Sequence, residues 1–229
     1  MIPFKISTVR APGDSSPSAD PVSFSVPQFW HEVTFGQFQK VKEAMNQGPL
    51  LASDLLAAFT GLEKKFWVAV PEQTAAPVLQ VIKGFWDNPE ETPDFFNLPV
   101  PKSVTIGGKK IPISSAPGSY ALGQGEAMNQ KFKAWADSEE MKSGSIHELI
   151  VKGSEVVALM LQPAYYGKGF DEEESKQLIP LVDMMQATEA VPLASFFLSI
   201  FLKRLQTGLK HLGKAKKKTP LLMRLGLKS

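Results

Sequence analysis

Cysteine is absent from the 229 residues. That excludes disulfides, zinc–thiolate centres and thiol nucleophiles, and it suits a reducing compartment. Histidine is scarce. His31, His147 and His211 fall in different predicted elements, with no carboxylate or second histidine at ligand spacing. Surface or capping roles are expected for them rather than metal binding or general-base work. The glycine-rich pieces Gly118–Gly125 and Gly167–Gly169 are not followed by the Lys-Ser/Thr of a phosphate loop and lack dinucleotide-binding spacing, so they read as turns. The acidic run Asp171–Glu174 lacks the alternating oxygen ligands of a calcium loop, and no serine sits in a nucleophile elbow. The sequence therefore assigns no catalytic residue, no metal and no cofactor, and a non-enzymatic role is expected. Long apolar runs are missing too. Ala190–Leu202 is the longest, at 13 residues with Pro192, Ser195 and Ser199 inside, against the roughly 20 a spanning helix needs. A buried helix is expected there, with no transmembrane segment. Met1-Ile2-Pro3-Phe4-Lys5 shows no signal-peptide pattern, so secretion is not expected.

Apolar side chains are abundant: 43% of the chain is hydrophobic, with 15 Phe and 4 Trp, ample for a core. Charge is unevenly placed. Residues 203–229 hold nine of the 25 Lys/Arg and none of the 23 Asp/Glu, leaving the body net acidic. A terminal block of one sign is a solvated tail or an interaction arm. Three readings apply: an arm whose lysines neutralise nucleic-acid phosphates, an amphipathic helix (Leu202, Leu205, Leu209, Leu212 against Lys203, Lys210, Lys214) on a membrane or in a partner groove, or a solubility tail. Pro220–Leu227 is apolar enough to favour docking on a protein partner. The candidate partner-binding residues are Lys203, Arg204, Lys210, Lys214, Lys216, Lys217, Lys218, Leu221, Leu222 and Arg224.

The pattern predicts a mainly α protein with a small β component (α+β). Phe4–Val9 and Val22–Val26 alternate like short strands around a Pro/Ser/Gly-rich loop at 11–21. Thr34 and Gln37 form a capping box opening a helix that stops near Gly48-Pro49, with Val33 placed for a staple on Phe38. Helices are expected through Leu55–Phe59, in part of 62–70, and after Pro71 with Val78, Val81, Ile82, Phe85 and Trp86 on one stripe. Residues 87–102 hold four prolines and read as a linker. Val104–Ile111 reads as a hairpin about Gly107-Gly108, because both turn positions need positive φ. A helix is expected from about Ala121 to Asp137. Ser145 and Glu148 form a second capping box, opening a continuous helix that ends before a loop at Pro163–Gly169. Asp171 caps another helix, with Glu174 at the third position. A last helix is expected after Thr188–Pro192.

The halves match in order. Val22–Val26 and the Gly36-Gln37 helix correspond to Ile111–Ile113 and the Gly123-Gln124 helix. Asp54–Phe59 corresponds to Glu155–Met160, and Thr74–Pro77 to Thr188–Pro192. The expected organisation is an N-terminal strand and loop (1–21), a first helical lobe (22–86), the linker (87–102), a hairpin with a second related lobe (103–202), and the basic tail (203–229). An internal duplication accounts for the order, although Ala121 stands where Thr34 would cap.

These residues also carry a resemblance. Trp30-x-Glu32-Val33-Thr34-x-Gly36-Gln37-Phe38, the Thr60-Gly61 helix end and Ile106-Gly107-Gly108-Lys109-x-Ile111-x-Ile113 come first. Leu122-Gly123-Gln124, His147–Ile150, Ala158–Pro163, Phe170-Asp171-Glu172 and Phe196-Phe197 follow. Over residues 22–202 the chain resembles small proteins encoded in the tail and assembly modules of tailed bacteriophages, notably of Bacteroidetes hosts. It departs at Gly125, where the first half has Phe38, and in its basic tail. The resemblance implies a tail assembly chaperone or minor virion component, present in the host cytoplasm during assembly or in the virion. Its partners would be other phage structural proteins, tail or tape-measure-like, and nucleic acid is a further partner through residues 203–229.

Overall fold

The structure is a computed structural model describing residues 1–6, 21–88, 90, 92–114, 121–136 and 149–211, with backbone only for 136 and 203–211. It is mainly α with a small β component. Strands β1 (Ile2–Ile6) and β2 (Val22–Val26) pair antiparallel, with Phe4 opposite Phe24. A 3₁₀ turn at Trp30–Glu32 leads into α1 (Phe35–Gln47), α2 (Ala52–Thr60), α3 (Lys64–Ala69) and α4 (Glu72–Trp86). The second half opens on β3 (Ser103–Ile106) and β4 (Lys109–Pro112), again antiparallel. Then follow α5 (Leu122–Ala136), a 3₁₀ turn at Ile150–Lys152, α6 (Gly153–Tyr166), α7 (Glu172–Asp183) and α8 (Ala187–His211).

Strand alternation sets what the first ribbon buries. Ile2, Phe4, Ile6, Val22, Phe24 and Val26 turn inward, while Pro3, Lys5, Ser23 and Ser25 face out. Phe24 meets the edge of Trp67 at 5.5 Å. The buried side chains of both halves form one connected core. Residues 87–102, expected as a linker, join it through Phe95. Its ring lies 5.2 Å from Trp30 and 4.8 Å from Phe38.

The Gly107-Gly108 turn has the expected geometry, with φ of +54° and +79°. Gly107 is constrained twice, since a Cβ there would lie 3.1 Å from the Tyr165 hydroxyl and 3.2 Å from a Leu181 methyl; Gly108 faces open space. Positive φ costs an alanine about 1–2 kcal/mol. Gly107→Ala is expected to lower the thermal midpoint more than Gly108→Ala, the difference reporting the Tyr165–Leu181 contact.

Four expectations need correcting. The first strand is Ile2–Ile6 rather than Phe4–Val9, whose last three residues lie outside the described ones. The helix expected from Ser145 is not continuous. The chain makes a 3₁₀ turn before α6 starts at Gly153, because Gln39 holds the carbonyls of Ile150 and Val151. Pro163 does not end that helix, which runs on to Tyr166 and a left-handed Gly167. The last helix starts at Ala187, so Pro192 lies inside it; the carbonyl that Pro192 cannot serve is that of Thr188, in the half-exposed first turn.

Candidate functional site

Among the described residues, three of the five buried polar side chains are amides, Gln39, Gln124 and Gln162. Thr34 caps α1 as the sequence requires. Its hydroxyl accepts from Gln37 N–H at 3.3 Å, while Gln37 Oε1 accepts from Thr34 N–H at 2.9 Å. Gln37 Nε2 then donates to the Phe59 carbonyl at 2.9 Å. Phe59 is in the last turn of α2, where carbonyls have no helical donor.

The second half repeats this with the cap removed. Gln124 Oε1 accepts from Ala121 N–H at 2.8 Å, and its Nε2 donates to the carbonyls of Leu159 and Met160 at 3.1 and 3.0 Å. Proline has no N–H, so Pro163 cannot serve the Leu159 carbonyl four residues back. Gln124 supplies the missing donor, which is why α6 passes through Pro163. Phe59 and Met160 are the residues paired by the sequence match of the two halves.

The glycine before each glutamine has a packing reason. A Cβ on Gly36 would lie 3.0 Å from Asp183 Cβ, and one on Gly123 would lie 2.9 Å from the Phe170 ring. Further along, α2 and α6 each end on a left-handed glycine, Gly61 and Gly167. The helices α4 and α8 each carry proline as their sixth residue, Pro77 and Pro192. These paired features fall in the same order in the two halves.

A seam joins them. Phe35 N–H donates to the Met185 carbonyl at 2.7 Å, and Ala187 N–H donates to the Val33 carbonyl at 2.8 Å, bracketing a Thr34–Gln186 bridge. Gln39 Nε2 donates to the carbonyls of Ile150 at 2.9 Å and Val151 at 3.2 Å. Ser154 Oγ donates to Gln39 Oε1 at 2.6 Å and also reaches the Asp183 carboxylate. Gly153 lets the backbones close, since a Cβ there would lie 2.5 Å from Phe35 Cζ and 3.2 Å from Ala194 Cβ. Under the α6–α7 loop, Gln162 accepts from Asp171 N–H at 3.0 Å and donates to Glu174 at 2.9 Å.

Asp171 caps α7 as expected, accepting from Glu174 N–H at 3.1 Å. The Glu174 carboxylate does not return to the cap; Gln162 and Lys168 hold it instead. That ion pair raises the Lys168 ammonium above its ordinary value, chiefly through its hydrogen bond to Glu174. Burial lowers Lys42, which lies 5.6 Å from the centre of the Phe38 ring. The Gln28 backbone N–H, above other causes, lowers Glu32. Trp30 stands among Phe85, Trp86 and Phe95, and its buried Nε1 meets no acceptor among the described residues.

The candidate tail residues Lys203, Arg204 and Lys210 fall on α8. Lys214, Lys216, Lys217, Lys218, Leu221, Leu222 and Arg224 lie outside the described residues, as do Ser145 and Glu148. Gln39, Ser154 and Gln162 were missed by sequence reasoning; of the three only Gln162, between Leu161 and Pro163, stands out as a polar residue in an apolar run. Among the described residues no three His, Asp or Glu come together to hold a metal, and no helix is long and apolar enough to cross a membrane. Compared with protein-family models, with curated proteins and with solved structures, the chain matches none.

Proposed function

We propose that this is a non-enzymatic bacteriophage protein, a tail assembly chaperone or minor virion component, acting through protein–protein contacts. The observation that carries the reading is how the distinctive polar groups are used. Gln37, Gln39, Gln124, Gln162, Ser154 and Asp183 all hold one chain segment against another. Large apolar side chains are left at the surface, among them Phe29, Val68, Leu122 and Met184. Apolar groups on a small protein's surface are the raw material of partner contacts. The motif resemblance over residues 22–202 supplies the phage context.

A second reading follows from the charge of residues 203–229, in which the segment holds nucleic acid. Binding of the full chain and of a 1–202 variant to purified tail-tube and tape-measure proteins of the same phage, and to duplex DNA at rising salt, separates the two. The assembly reading expects capture of a tail protein by the full chain. DNA retention lost on truncation and steeply weakened by salt supports the nucleic-acid reading instead. No binding to any tail protein contradicts the assembly reading.

A further inference from the structure

Among the described residues three lysines are half-buried: Lys42, Lys131 and Lys152. Lys131 meets the Glu155 carboxylate at 2.8 Å, and Lys152 is likewise engaged. Lys42 has no such partner. The positions on α1 from which a helical neighbour could reach it hold Phe38, Gln39, Met45 and Asn46, and none of these carries charge. No carboxylate on another element pairs with it among the described residues, so burial is the cause that acts on this amine, and it acts downward. Its Nζ lies 5.6 Å from the centre of the Phe38 ring, which in turn packs on Phe95 at 4.8 Å. A ring face attracts an ammonium, but that distance is near the outer limit of such contacts. The ring offers neither a lone pair nor a charge in place of the lost water. Burial without a counter-charge favours the neutral amine, which is the nucleophilic form of lysine.

We propose that Lys42 is a site of acyl modification, taking its acyl group from a small acyl phosphate. The amine nitrogen attacks the acyl carbon. The N–C bond forms, the C–O bond to phosphate breaks, phosphate leaves with the bonding pair, and the amine proton passes to water. Half-burial leaves the amine open to a donor of this size. The product also suits the place. An amide carries no charge, so acylation removes a cation that has no partner to lose. The same reaction at Lys64, Lys131 or Lys168 would break an ion pair to Asp54, Glu155 or Glu174. Lys40, on the same helix, is the natural comparison: it is exposed, with Glu43 one turn further on. The inference goes beyond the phage reading and does not need it.

The native chain is the test material, so no variant has to fold. It is treated with acetyl phosphate near neutral pH, and acetylation of each lysine is followed over time by peptide mass spectrometry. Lys42 is expected to react severalfold faster than the exposed Lys40 and Lys83, and to lose that lead in guanidinium chloride, where its burial is gone. A Lys42 rate at or below that of Lys40 in the folded chain overturns the inference. So does a lead that persists in guanidinium chloride, because it would then belong to the local sequence and not to the fold.

Discussion

Gly153→Val is expected to destabilise the protein by about 3 kcal/mol or more, at the upper end of overpacking effects. In a chain of this length that lowers the midpoint of thermal unfolding by roughly 6–12 °C. Gly153 begins α6 at the point where the halves meet. Even a bare Cβ there would overlap the Phe35 ring, at 2.5 Å, and crowd Ala194. Phe35 has nowhere to move. It is fully buried, and its own N–H is fixed to the Met185 carbonyl. The added branch therefore pushes α1 off α6 and strains the Gln39 and Ser154 hydrogen bonds across the same gap. Shortening the opposing side chain should relieve this. Phe35→Leu alone leaves space and costs stability, whereas in the Gly153→Val background it should recover part of the loss. Differential scanning calorimetry of the four proteins reads the result. A Gly153→Val protein that melts within about 2 °C of the native chain, less than 1 kcal/mol, would contradict the close approach.

Much of the fold follows from local chemistry. The Thr34 box, the two-glycine hairpin and the Asp171 cap are short-range features, each satisfied within a few residues, and they stand where the sequence places them. The errors share a different cause. Pro163 breaks a helix on local rules, and it does so only while the Leu159 carbonyl has no other donor. That donor comes from Gln124, 35 residues away. The 3₁₀ turn before α6 likewise depends on Gln39, more than a hundred residues earlier. The Gly-Gln pairs were visible in the sequence as an echo, but their use was not. The docking function of an amide depends on a carbonyl that only the tertiary fold brings near. The cap at Thr34 and Gln37 was legible, and the seam, with its partners Gln39, Ser154 and Asp183, was not. The burial of Phe95 was hidden for the same reason: the four prolines of 87–102 deny periodicity without denying that one ring a place in the core.

Gln124→Leu is the second large effect. A leucine fills nearly the same volume but offers no polar atom. The Leu159 carbonyl loses its donor, the Met160 carbonyl keeps only the Ala164 N–H of its own helix, and the Ala121 N–H loses its acceptor. A buried polar group left unpaired costs about 1–3 kcal/mol, and Ala121 is exposed enough for water to replace its acceptor. The Leu159 carbonyl sets an expected loss of about 1–3 kcal/mol. Gln37→Leu should cost less, because the Phe59 carbonyl and the Thr34 N–H that depend on that amide stand in half-exposed surroundings where water can replace it.

The claim that these glutamines dock each lobe by serving carbonyls the helices cannot serve themselves is tested most directly by one double-mutant cycle, Gln124→Leu against Pro163→Ala, followed by chemical unfolding. Alanine at 163 restores an N–H for the Leu159 carbonyl, so Gln124→Leu then leaves neither carbonyl without a donor. The account predicts that the cost of Gln124→Leu falls by about 1 kcal/mol or more in the Pro163→Ala background, a coupling of the size seen for groups in one hydrogen-bond network. Equal costs in the two backgrounds would show that Gln124 does not act on the carbonyl Pro163 leaves open, and would contradict the account.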